Sequence, residues 1–263
     1  MIIIGSYHKT GSCLFSNIWK SYFNKETKDY IDNKHFDRVI DDMIKNTKCV
    51  VIIRHPYEII MSGVRYHQIT SEKWCNKKEK DLNNLSYKQH IQNLNFDDKI
   101  IFEMENKANQ TIKAIYNDMK NKNFNNILFI KLEDLYEEKN IPIICKKIKE
   151  HCKSSLNIDS DKLTDSFLKI LKKSFHRTNK NNRYTFNEYF KQHHINHFNK
   201  LFPKDTLKIL GYEQDQPEEV KEELLGKGRR DKEKVNYDEN LLTEYQFAKT
   251  MDKEEVLDKE EDL

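Results

Sequence analysis

Residues 1–17, MIIIGSYHKTGSCLFSN, decide how the rest of the chain is organised. Ile2, Ile3 and Ile4 form an apolar β-branched run that reads as a buried parallel strand. Gly5 opens a polar loop, Ser6-Tyr7-His8-Lys9-Thr10, and Gly11 closes it. Ser12 follows as a helix cap, and Leu14, Phe15, Ile18 and Trp19 recur at helical spacing. A strand, a glycine-bounded loop and a helix together aim backbone N–H groups and a helix N-terminus at an anion, above all a phosphate. The chain has only six glycines, so two at the bounds of one loop are informative.

Outward from this stretch the pattern repeats. Residues 49–53, CVVII, form a second fully apolar run that ends at Arg54. Pro56 and Glu58 then suit the first turn of a helix whose core positions are Ile59, Ile60 and Val64. Residues 127–130, ILFI, are a third run. Helices are expected over 37–46, 99–120, 141–152, 160–174, 187–201 and 204–210, the last ended by Gly211. Residues 20–34 carry no clear period. The polar, lysine- and asparagine-rich stretch 70–98 reads as a loop or weakly helical cover over the ligand site. Short apolar strands alternating with helices predict a three-layer α/β domain with a central parallel sheet, a P-loop-type strand–loop–helix and flanking helices. In such sheets ligands bind beyond the carboxyl ends of the strands, where both the Lys9 loop and Arg54 fall.

The net charge of +3 hides an asymmetry. Residues 213–263 hold eighteen acidic and nine basic side chains, which makes the first 212 residues +12. The expected organisation is an α/β domain over 1–212 and a charged, acidic extension over 213–263, solvated or partly helical. A basic domain suits an anionic ligand. No aromatic-interleaved basic motif points to nucleic acid, and no apolar run reaches the length of a membrane span. Five scattered cysteines without a C-x-x-C pair suit reduced thiols. A strand at the very start leaves no room for a signal peptide. Together these give a cytoplasmic expectation.

The lysine precedes the second glycine, unlike G-x-x-x-x-G-K-[ST]. Lys9-Thr10-Gly11-Ser12 instead resembles the 5′-phosphosulfate loop of sulfotransferases that use 3′-phosphoadenosine-5′-phosphosulfate (PAPS). Three further stretches are similar to that family in order and spacing. Residues 51–62, VIIRHPYEIIMS, resemble its 3′-phosphate motif, a strand ending in arginine with a serine eight residues later. Asn33-Lys34-His35-Phe36 lies where the family has a lysine- and histidine-bearing strand end, with no residue between lysine and histidine here. Residues 176–184, HRTNKNNRY, lie where it has an Arg-Lys-Gly loop; Arg177 matches, and Lys180 and Arg183 are weaker stand-ins. Cys13 and Leu14 replace the usual hydroxyl residue and tryptophan.

The resemblance implies transfer of the sulfuryl group of PAPS to a hydroxyl or amine of a small-molecule or glycan acceptor, with no metal. Lys9, Thr10, Gly11, Ser12 and Cys13 would line the 5′-phosphosulfate, and Lys9 would also be catalytic. Arg54, Ser62 and Arg177 would hold the 3′-phosphate, and His35 would be the general base. Glu133 and Asp134, after the third strand, read as structural. Two other readings are a P-loop nucleotide kinase or NTPase and a non-catalytic anion- or nucleotide-binding protein. His193-His194-x-x-His197 has two histidines on one helical face but lacks the glutamate of H-E-x-x-H, and reads as a polar helix surface.

Overall fold

The computed structural model describes residues 1–24, 29–33, 35–39, 41–121, 125–174 and 186–213. Four strands, β1 (Ile2–Ser6), β2 (Tyr30–Asn33), β3 (Lys48–Ile53) and β4 (Ile127–Lys131), form one parallel sheet in the order β2-β1-β3-β4. Side chains alternate across it, as the two-residue period of a strand requires. Ile3, Cys49, Val51 and Ile53 enter one apolar core, and Ile2, Ile4, Val50 and Ile52 enter the other. All eight are buried, which is why these strands read as unbroken apolar runs rather than alternating ones.

Helix α1 (Ser12–Phe23) lies on the second face with α8 (Ile141–Cys152) and α9 (Ser160–Ser174), joined through Phe15, Trp19, Ile148 and Phe167. The first face carries α3 (Pro56–His67), α6 (Phe96–Glu105) and α7 (Lys107–Asn121), joined through Ile60, Val64, Met104 and Ile112. The three layers and the flanked parallel sheet are therefore those expected. Helices α8 and α9 also fall on the expected residues. Short helix α11 (Thr206–Ile209) ends at Gly211, whose φ of 77° is a left-handed conformation that favours glycine.

One unassigned stretch proves to be a strand, and three expected helices are corrected. Residues 20–34 contain the edge strand β2, which is only half-buried and so has no apolar run to announce it. The helix expected over 37–46 is shorter: a single turn at Phe36–Arg38 precedes α2 (Asp41–Asn46). The single helix expected over 99–120 is two, α6 and α7. Asn106, with φ −115° and ψ −107°, turns the chain between them. The helix expected from 187 starts at Gln192 as α10 (Gln192–Leu201), after a turn at Phe186–Glu188.

Residues 70–98 carry α4 (Lys73–Asn76) and α5 (Tyr87–Asn93), the latter begun by a reciprocal Ser86–Gln89 capping box. This stretch is a packed cover, with Cys75, Tyr87 and Ile91 buried beneath a polar surface. Among the described residues no helix is long and apolar enough to cross a membrane. The acidic extension lies outside the described residues beyond Glu213.

Candidate anion and proton-transfer site

Strand order alone locates the site. From β1 the chain crosses to β2 on one side, and the next connection returns past β1 to β3 on the other. The direction of winding thus reverses between β1 and β3, the place at the carboxyl edge where ligands bind in sheets of this kind. Ser6 pairs with Ile52 in the register, so the loop after β1 and Arg54 after β3 leave the sheet side by side.

The Tyr7 carbonyl organises the loop. It accepts hydrogen bonds from Thr10 N (3.3 Å), the Thr10 hydroxyl (2.9 Å) and the Ser12 hydroxyl (3.1 Å). Thr10 Oγ1 in turn accepts from Tyr7 N at 2.9 Å. Lys9 takes φ 61° and Gly11 φ 93°, the two left-handed positions that reverse the chain into α1. A Cβ on Gly11 would also crowd Leu132 at 3.3 Å. From below, the Tyr7 hydroxyl donates to the buried Asp118 carboxylate of α7 at 2.6 Å. Burial and that carboxylate hold the Tyr7 phenol well above its usual pKa, so it stays a donor. Lys9 Nζ rests over the Tyr66 ring, 2.8 Å from its centroid, a cation–π contact that stores the ammonium at the loop.

Arg54 stands beside this loop. Its Nη1 donates to the Lys9 carbonyl at 3.4 Å and its Nη2 pairs with Glu58 Oε2 at 3.0 Å. Glu58 Oε1 accepts from Phe186 N at 2.9 Å, so the carboxylate that orients Arg54 also ties down the start of residues 186–213. Glu133 is structural, as expected. It is buried, accepting from His55 N at 2.9 Å and from the Tyr212 hydroxyl at 2.8 Å, and it fixes the backbone just after Arg54.

The other expected site residues divide. Ser62 is half-buried in α3, two turns after Arg54. Cys13 is exposed in the first turn of α1. His35 is exposed, with its N–H donating to Asn33 Oδ1 at 2.8 Å just past the end of β2. Lys34, Arg177, Lys180 and Arg183 lie outside the described residues.

A histidine–carboxylate cluster at the loop escaped the sequence reading. His8 Nε2 and His67 Nε2 are 3.1 Å apart, and His67 Nδ1 is 2.9 Å from Glu103 Oε2. The same carboxylate oxygen accepts from the Tyr87 hydroxyl at 2.9 Å. His67 and Glu103 are wholly buried, and the Trp74 ring packs edge-on against both imidazoles. A signal was present in the helices. Glu103 falls on the same stripe as Ile100 and Met104, and Asp118 falls three residues after Ile115; acids on apolar stripes need buried partners.

On α10, His193 and His194 lie with Asp97 close enough for their ligand atoms to fall within 4.8 Å of one another. Asp97 already pairs with Lys191 at 2.7 Å, and His197 pairs with Glu105 at 3.0 Å.

A parallel sheet wound about a phosphate-type loop, with an arginine at the neighbouring strand end, defines a sulfotransferase-like α/β fold. The structure is similar to the crystal structure of mouse sulfotransferase SULT7A1 complexed with PAP, with a TM-score of 0.53 and 14% sequence identity, over 82% of this chain and 88% of that one. The likeness is one of fold. No family model and no curated protein matches the sequence.

Proposed function

We propose that the protein is a sulfotransferase, moving the sulfuryl group of PAPS to a hydroxyl or amine of a small-molecule or glycan acceptor. The observation that carries the reading is the meeting of the Lys9 loop and the Arg54 fork at the point where the sheet reverses its winding. The +12 charge of residues 1–212 and the fold shared with a PAP-bound sulfotransferase support it.

In this reading the loop from Lys9 to Cys13 receives the 5′-phosphosulfate on backbone N–H groups and the start of α1. Lys9 swings from the Tyr66 ring to the oxygen that bridges phosphate and sulfuryl, where negative charge develops as the bond breaks. Arg54, held by Glu58, presents a planar fork to the 3′-phosphate, with Ser62 and Arg177 as further ligands. Transfer is in line, so catalysis is chiefly positioning and charge stabilisation. The acceptor's proton goes to a histidine; His35 is the one the sequence nominates, and no metal is required. The test is transfer of labelled sulfate from PAPS across a panel of phenols, alcohols and amines. Wild-type protein transfers label and Lys9→Ala does not; equal transfer by both contradicts the assignment.

A further inference from the structure

We propose that His8, His67 and Glu103 form a proton relay, and that His8 Nδ1 is the atom that takes the acceptor's proton. This deepens the sulfotransferase reading by assigning its base to the phosphate-type loop rather than to His35.

The geometry is that of a directed chain. The His8 and His67 rings are tilted by 4° with centroids 5.3 Å apart, while their Nε2 atoms are 3.1 Å apart. Rings so placed lie edge to edge, nitrogen facing nitrogen, and share one proton. The Glu103 carboxylate accepts from His67 Nδ1–H and from Tyr87 O–H. That fixes the His67 tautomer: Nε2 is bare and accepts from His8 Nε2–H. The remaining His8 nitrogen, Nδ1, points away from His67, has no hydrogen-bond partner among the described residues, and belongs to a partly exposed ring beside Lys9.

The chain is built to hold charge at its inner end. Glu103 is 1% exposed, and its Oε1 has no hydrogen-bond partner among the described residues. It sits against Gly63 of α3, where any Cβ would collide with the carboxylate. His67 Nδ1 meets this carboxylate directly, so a proton that arrives at His67 Nε2 lies across the ring from a paired carboxylate. The outer end does the opposite. Burial pulls the His8 pKa down to about 2, and Lys9, His67, His35 and Lys107 add to the shift. The other groups lining the cluster are Glu72, through Trp74, and Cys75, whose thiol burial pushes up to about 12. His8 therefore does not retain a proton, and the chain acts only by passing the charge inward to His67.

The acceptor O–H or N–H breaks as its O or N bonds to sulfur, and the bond from sulfur to the bridging oxygen breaks towards Lys9. The proton enters at His8 Nδ1, the His8 Nε2 proton moves to His67 Nε2, and His67 ends as an imidazolium paired with Glu103. His8 is the catalytic residue; His67 and Glu103 act through it.

The experiment uses the full chain and has two arms. In the first, PAP release from PAPS, with water or 4-nitrophenol as acceptor, is followed across pH for wild type, His8→Gln, Glu103→Gln and His35→Ala, beside calorimetric PAP binding. The expected loss in kcat is about a hundredfold for His8→Gln and about tenfold for Glu103→Gln, which also changes the pH profile, with KM for PAPS and PAP affinity within about twofold. Unchanged kcat and pH profile in Glu103→Gln, or a larger loss in His35→Ala than in His8→Gln, overturns the relay. The second arm, histidine nitrogen NMR on wild type, needs neither turnover nor a stable variant. His8 in the Nε2–H tautomer and a downfield, hydrogen-bonded His67 Nδ1–H support the relay; His8 protonated at Nδ1 instead overturns it. Failure of wild type to bind PAP sinks the sulfotransferase reading and leaves the NMR arm to decide the relay.

Discussion

Arg54 Nη1 lies 3.4 Å from the carbonyl oxygen of Lys9, joining two motifs that are 45 residues apart in the chain. Neither element alone specifies a ligand with two anionic ends. A loop can hold any phosphate, and an arginine at a strand end can be a plain ion pair, as its contact with Glu58 illustrates. Their juxtaposition puts a loop and a planar fork side by side at the carboxyl edge of the sheet.

The fork geometry leads to the first expectation. Arg54→Lys retains the charge but loses the bidentate donors and the reach to both Glu58 and the Lys9 carbonyl. PAP affinity should fall by about 2 kcal/mol, roughly thirtyfold in Kd, by titration calorimetry. An affinity within about twofold of wild type would show that the fork does not meet the ligand.

Gly11 carries the second. Its φ of 93° and the Leu132 side chain 3.3 Å from a would-be Cβ both resist any side chain. Gly11→Ala should lower unfolding stability by about 1–2 kcal/mol. It should also weaken PAP binding, because the turn that presents the loop is reshaped. Urea midpoints give the first effect and calorimetry the second; a variant as stable as wild type contradicts the strained turn.

Gly63 carries the third. Any Cβ there meets the buried Glu103 carboxylate, so Gly63→Ala should cost about 1–3 kcal/mol despite alanine's better helix propensity. Differential scanning calorimetry should show a lowered Tm; a raised Tm would mean that Glu103 moves aside freely.

The fourth concerns acid. His194 is fully buried, and burial pulls its pKa down from 6.5 to about 4, with His193 and Lys191 adding to the shift and Asp97 opposing it. Below pH 6.5 the unfolded chain binds a proton that the folded chain refuses, so stability falls as pH drops towards 4. The expected contribution is up to about 3 kcal/mol at full titration. His194→Gln should flatten that part of the stability–pH curve; parallel curves for wild type and variant would contradict it.

What the sequence disclosed followed the strength of its local signals. Strands β1 and β3 are buried on both faces and β4 is a half-buried edge, but all three carry unbroken apolar runs that announce them. β2 is the other half-buried edge, and Tyr30–Asn33 carries no such run. Asn106 breaks a helix through its backbone angles while the apolar spacing continues through it. The phosphate-type loop and Arg54 were legible because each joins a strand end to a helix start. The His8–His67–Glu103 chain was not, because it joins a loop to two separate helices and its partners are set by packing. Glu103 on an apolar stripe was the available clue.

The most direct test compares PAP with adenosine 5′-monophosphate and adenosine 3′-monophosphate by calorimetry, in wild type, Lys9→Ala and Arg54→Ala. If one ligand bridges the loop and the fork, wild type binds PAP more tightly than either monophosphate. Arg54→Ala then erases the advantage of PAP over the 5′-monophosphate, and Lys9→Ala erases its advantage over the 3′-monophosphate. Equal binding of PAP and the monophosphates by wild type, or identical losses for all three ligands in both variants, would contradict the account.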